Sequence, residues 1–209
     1  MPSPIDLRRL EHARRWAAEV EAKRPYRRAF FEAMVGELRQ SGATRVLELG
    51  SGPGHLARHV LESLPHVQLT LFDFSAAMHM LAREHIGATS HPVTFVTGDF
   101  REPTWYLELG DFDAVITLQA VHELRHHSRA ATLHRAVRSM RRPEGVYLVC
   151  DHFAGAGAMS NAELYMPPGE QAAALHGAGF PWVRNVLQRG SLVLHRASRA
   201  PQDETPAPT

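Results

Sequence analysis

The chain has 209 residues, 44% of them hydrophobic, a formal charge of +1 and a single cysteine, Cys150. This length can bury one core, the near balance of charge lacks the excess of a dedicated nucleic-acid binder, and a lone cysteine excludes an internal disulfide. No apolar run reaches the roughly 20 residues of a membrane span and the N-terminus has no signal-peptide core, so a soluble, cytoplasmic protein without a membrane partner is expected.

From residue 5 to about 40 the apolar positions Leu7, Leu10, Ala13, Trp16, Ala17 and Val20 recur at helical spacing. Pro25 disfavours helix at Arg24, which predicts two helices broken there, and Ser41-Gly42 ends the second. Val46, Leu47 and Leu49 then form a short apolar run that fits a buried parallel strand, followed by glycines at every second position, Gly50, Gly52 and Gly54. Helical spacing resumes over 55–64 and stops at Pro65. The order is therefore strand, glycine loop, helix, in which the loop backbone and the free N–H groups of the next helix can face a ligand. A second apolar run, Val67 to Phe72, ends on Asp73, nineteen residues past Gly54, where a nucleotide-type fold places the acid that holds a ribose diol. Ser75 is a plausible cap for a helix over 76–85.

Val93 to Val96 is a third strand leading into Gly98-Asp99-Phe100, and Phe112 to Leu118 is a fourth whose nearly continuous apolar character fits burial on both faces. A helix is expected over 129–140, a turn at Arg142-Pro143-Glu144-Gly145 and a fifth strand over 145–153. Residues 154–166, rich in Ala, Gly, Ser and Asn, read as a loop, and a short helix follows from Pro167 to Leu175. Two apolar runs between Phe180 and His195, around Gln188-Arg189-Gly190-Ser191, suit an antiparallel hairpin. The polar, proline-rich end reads as a disordered tail.

The loop does not follow the dinucleotide pattern G-x-G-x-x-G, because the third glycine would fall on His55. Its form, Glu48-x-Gly50-x-Gly52-x-Gly54, resembles motif I of the class I S-adenosylmethionine (SAM) dependent methyltransferases of the small-molecule type, and Phe112-Asp113-Ala114-Val115 followed by a histidine is similar to their motif IV. The resemblance covers about residues 40–196. It implies an α/β Rossmann-like methyltransferase fold, a mostly parallel seven-stranded sheet with a C-terminal antiparallel hairpin and helices on both faces. It also implies a methyltransferase domain over 41–196, an N-terminal helical lid over 1–40 and a tail over 197–209. The cofactor would be S-adenosyl-L-methionine, leaving S-adenosyl-L-homocysteine (SAH), held by Glu48, Gly50, Gly52, Gly54, Asp73 and Asp99 with Phe74, Phe100 and Leu118 as apolar neighbours. Asp99 would meet the adenine amino group. Tyr26 and Arg28, near the helix break, are the candidates for the methionine carboxylate.

Catalytic candidates are His122, past the fourth strand, and His152, at the end of the fifth, since ligands bind beyond the carboxyl ends of such strands and a histidine can take a proton near neutral pH. The acceptor would be a small molecule, with oxygen favoured over nitrogen or carbon. Gln119-Ala120-Val121 lacks the Asn-Pro-Pro-Tyr type of sequence found in methyltransferases acting on bases, so no nucleic-acid substrate is expected. His122-Glu123-Leu124-Arg125-His126 matches the zinc signature H-E-x-x-H but abuts a buried strand rather than lying in a long helix, and no metal is assigned. Two other readings stay open: a NAD(P)-dependent oxidoreductase on a similar fold, and a SAM- or SAH-binding protein that transfers no methyl group. The oligomeric state is not legible.

Overall fold

The computed structural model describes residues 5–88 and 93–200. Two helices, α1 (Leu10–Lys23) and α2 (Arg27–Ser41), precede β1 (Arg45–Leu49), α3 (His55–Ser63), β2 (Gln68–Asp73), α4 (Ala76–Ile86), β3 (Val93–Thr97) and β4 (Phe112–Leu118). Then come α5 (Ala130–Met140), β5 (Arg141–His152), α6 (Pro168–Gly177), β6 (Trp182–Arg189) and β7 (Leu192–Ser198). The strands form one sheet in the order β3-β2-β1-β4-β5-β7-β6, parallel except for β7, which is antiparallel to both neighbours. This is the expected Rossmann-like methyltransferase sheet. No helix among the described residues is long and apolar enough to cross a membrane.

Alternation along the strands supplies two cores. Val46, Leu69, Leu71, Ile116 and Leu148 face α2 and α3, which bring Phe30, Met34, Leu56 and Val60. Leu47, Leu49, Val115, Tyr147 and Val149 face the other side, where Leu133, Val137 and Leu175 of α5 and α6 meet them. The same alternation turns Glu48 towards the α2 side, where its side chain is buried. Helix α1 packs on α4 in a smaller cluster with Ala13, Met78 and Leu81.

Helix α2 is tied to the last strand by charge as well as packing. Glu37 lies 3.0 Å from the buried Arg196 of β7 and 2.6 Å from Arg184 of β6. Removing one partner of a buried pair leaves the other charge uncompensated at a cost of about 3 kcal/mol. Glu37→Ala is therefore expected to lower the thermal midpoint by roughly 6–12 °C in a protein of this size, as read by circular dichroism, with Glu37→Gln recovering part of the loss.

The boundaries differ from expectation at three places. β5 begins at Arg141 rather than 145: Arg142 to Gly145 bulge out of the ladder with β4, and the Arg141 guanidinium closes the bulge by donating to the carbonyls of Arg142, Pro143 and Gly145. β7 continues through Ser198, beyond the expected boundary at 196. Helix α5 is preceded by two short 3₁₀ turns, Val121–Leu124 and His127–Arg129. Residues 201–209 of the expected tail and the first four of the expected lid lie outside the described residues.

Candidate functional site

The cleft at the carboxyl ends of β1, β2 and β4 starts from the glycine loop. Gly50 has φ +66°, and a Cβ there would sit 2.4 Å from the Ala120 Cβ, so the loop can pass the end of β4 only with glycine at this point. The Gly52 N–H donates to Asp73 Oδ2 at 2.8 Å, and the Ser75 N–H donates to Asp73 Oδ1 at 2.9 Å. These bonds fix the carboxylate at the tip of β2 across the loop. Burial pushes the Asp73 carboxyl up to about 6, against the pull of those backbone N–H groups. Burial, reinforced by the nearby Asp73, pushes Glu48 up to about 8, with Arg27 opposing.

Of the residues singled out from the sequence, Glu48, Gly50, Gly52, Asp73, Phe74, Phe100, Leu118, His122 and His152 line this one cleft. Four others do not. Gly54 lies behind the loop as the cap of α3, where a Cβ would press on Ala82. Asp99, one residue from Phe100, is engaged by Arg101 at 2.9 and 3.0 Å, which holds its carboxyl below the usual range. Tyr26 turns its hydroxyl to Ser191 Oγ at 3.2 Å, and Arg28 is exposed on α2 beside Glu32. Arg24, in the break between the two helices, and Arg27, at the start of α2, reach the cleft, while Arg28, about 100° further round the helix, is turned away.

The other end of the cleft holds a cluster around His122 and His152 that the sheet register assembles. Leu118 of β4 pairs with Cys150 of β5, which sets the residues just past each strand side by side. His122 Nδ1 lies 2.7 Å from Asp151 Oδ1, and the His122 backbone N–H donates to Asp151 Oδ2 at 2.8 Å. Burial alone would lower His122, but the Asp151 carboxylate outweighs it through charge and hydrogen bond, and the net shift is upward. Asp151 moves the opposite way, since the His122 imidazole overcomes its burial. His152 is different: burial, with Arg24 and His122 nearby, brings it down to about 4, so it is neutral at pH 7. Tyr165 closes the cluster, its ring 5.7 Å from that of His122 and 5.8 Å from that of His152. The segment before α6 is pinned over the site by Gln171, whose amide donates to the carbonyls of His152 and Met166.

The zinc signature is broken in space. Arg125, at φ +64°, ends the 3₁₀ turn between His122 and His126, and His126 Nδ1 is bonded to Ser128 instead. No group of three or more metal-ligating side chains occurs among the described residues.

Residues 46–145 match the methyltransferase domain family. This match, over just under half of the chain, supports a class I SAM-dependent methyltransferase domain there. Over 102 residues the chain is 35% identical to trans-aconitate 2-methyltransferase of Mycobacterium ulcerans, a match spanning 48% of this chain and about a third, 35%, of that relative. It is 28% identical over 141 residues to malonyl-[acyl-carrier protein] O-methyltransferase of Geobacter sulfurreducens, covering 66% of this chain and 49% of that one. Among solved structures, the DhpI–SAH complex superposes with a TM-score of 0.68 at 22% identity, over 93% of this chain and 97% of that chain, a likeness of fold.

Sequence reasoning missed Asp151, Gln119, Tyr165, Arg24 and Arg27. An acid at the tip of the fifth strand, directly before His152, was a usable signal for Asp151. The helix break marked the stretch that holds Arg24 and Arg27 but not which cation faces the cleft, and nothing local marked Gln119 or Tyr165.

Proposed function

We propose that the chain transfers a methyl group from SAM to an oxygen of a small-molecule acceptor, with His122 taking the acceptor's proton. The observation that carries the reading is the Asp151–His122 pair at the mouth of a cleft whose other end is built from Glu48, the glycine loop and Asp73. When bound, SAM supplies a methyl group already activated on a sulfonium centre, so alignment, water exclusion and proton removal are left to the protein.

The lining residues fit that molecule. Glu48 Oε2 and Ser51 Oγ are buried without a hydrogen-bond partner, polar groups for which a ligand would compensate. Asp73 can accept from ribose hydroxyls, Phe74, Phe100 and Leu118 offer apolar walls to a base, and Arg24 and Arg27 bring positive charge from the N-terminal helices towards a carboxylate. Of the N-terminal segment expected to form a lid, helix α1 would cover the cofactor, while α2 belongs to the packed core. The Asp73 carboxylate beside the loop opposes a dinucleotide diphosphate.

At the acceptor end, Nδ1–H of His122 donates to Asp151, which leaves Nε2 as the proton-accepting nitrogen. The raised basicity of His122 suits removal of a proton from a hydroxyl. One matched relative is named an O-methyltransferase, which supports oxygen as the methylated atom.

Incubation with methyl-labelled SAM and a metabolite extract of the source organism, with calorimetry of SAM, SAH and NAD(P) in parallel, tests this. SAH binding together with a labelled small molecule carrying a new O-methyl group is expected. SAH binding with no labelled product would replace the reading by a non-transferring SAH-binding protein, and binding of NAD(P) alone by an oxidoreductase.

A further inference from the structure

Gln119 stands directly after β4 with φ +59°, in the left-handed region that side chains other than glycine rarely adopt, and its backbone N–H donates to the Cys150 carbonyl at 2.8 Å. Such backbone outliers cluster where a side chain must be aimed. Its side chain lines the cleft, Nε2 is 2.9 Å from His152 Nε2, and Oε1 is buried with no partner.

The polarity of this amide is set by its neighbours. His152 Nδ1 lies 2.9 Å from Ser191 Oγ, which in turn shares a hydrogen bond with the Tyr26 hydroxyl. The Gln119 amide nitrogen at this contact can only donate, so His152 Nε2 accepts, the proton of the neutral ring sits on Nδ1 towards Ser191 Oγ, and the amide oxygen has no protein partner. Tyr26, Ser191 and His152 thus form a chain that fixes which end of Gln119 a ligand meets. His152 acts here as a positioning residue.

We propose that Gln119 is a specificity-determining residue whose Oε1 accepts a hydrogen bond from an N–H or O–H of the methyl acceptor, so that acceptors carrying a protic donor beside the methylated atom are chosen over analogues without one. This rests on the transferase reading above. A buried, unpaired amide oxygen rejects a ligand that cannot donate to it far more strongly than a missing methylene would be rejected.

The test combines long-range ¹H–¹⁵N spectroscopy of His152 in the SAH-loaded protein with labelled-methyl transfer into the metabolite extract, for the parent, Gln119→Met and Gln119→Glu. The expected results are a bare Nε2 and protonated Nδ1 in the parent, and SAH affinity within about twofold of the parent in Gln119→Met. Labelled product should fall at least about tenfold in that variant. Gln119→Glu should raise the His152 titration by more than about one pH unit, because a carboxylate can pair with His152 only when Nε2 carries a proton. A parent protonated on Nε2, transfer unchanged in Gln119→Met, or SAH affinity falling in step with transfer would each overturn the proposal, the last by giving Oε1 to the cofactor. No labelled product from the parent, with the His152 spectrum as expected, would overturn the transferase reading, and the acceptor role of Gln119 with it.

Discussion

Asp73→Ala is expected to weaken SAH binding by at least about 100-fold, because a carboxylate oxygen placed for ligand hydroxyls contributes about 1.5–3 kcal/mol per hydrogen bond. The same change frees the Gly52 and Ser75 N–H groups that the carboxylate now holds, so the glycine loop loses its anchor as well as its ligand. Calorimetry reads the affinity and a thermal melt reports whether the apo protein still folds. Asp73→Asn, which keeps one acceptor oxygen, should fall between the two. An alanine variant that binds SAH like the parent would remove the basis for the site assignment.

A pH dependence follows from the same carboxylate. Asp73 is pushed up to about 6 by burial, so its accepting, ionised form is depleted as pH falls through that value, and affinity for SAH should decline with it. The linkage to stability has the opposite sign. A carboxyl whose folded-state value lies above its unfolded one binds more protons when folded, so Asp73 and Glu48, raised to about 6 and about 8, make the apo protein lose stability as pH rises from about 4 towards 8.

His122→Ala should lower kcat/KM by about 10²- to 10⁴-fold with SAH affinity unchanged, the range expected when a positioned general base is lost. In the parent, activity should rise with pH and level off above an inflection higher than the ordinary histidine value of about 6.5, because Asp151 favours the protonated ring that must first lose its proton. Asp151→Asn removes that charge, so the inflection should move down and the plateau should drop as the ring loses its orientation. Steady-state rates between pH 5 and 9 check both. A profile that falls across this range would instead make protonated His122 the holder of an anionic acceptor.

The order of elements along the chain and the glycine-loop end of the cleft were readable because their signals are local. The Glu48 to Gly54 motif, the apolar run ending on Asp73 and the two runs around Gly190 each state their structure within about ten residues. The acceptor end depends on contacts between residues far apart in sequence. Only the pairing of Leu118 with Cys150 brings His122 to Asp151 and Gln119 to His152, and no periodicity encodes that register across α5. The N-terminal cations show a smaller failure of the same kind. That a positive residue near the helix break faces the cleft was legible, but whether it is Arg27 or Arg28 depends on the phase of a helix starting at Arg27 itself.

The reversed direction of β7 has an architectural consequence. Because Leu192 pairs with His152, the tight turn joining the final two strands falls at the working end of the molecule, whereas an all-parallel sheet would have sent it to the opposite rim. The last stretch of the chain thereby places Ser191 behind His152, so that lengthening or reshaping this short connection is expected to shift His152 in the cleft without disturbing the glycine loop.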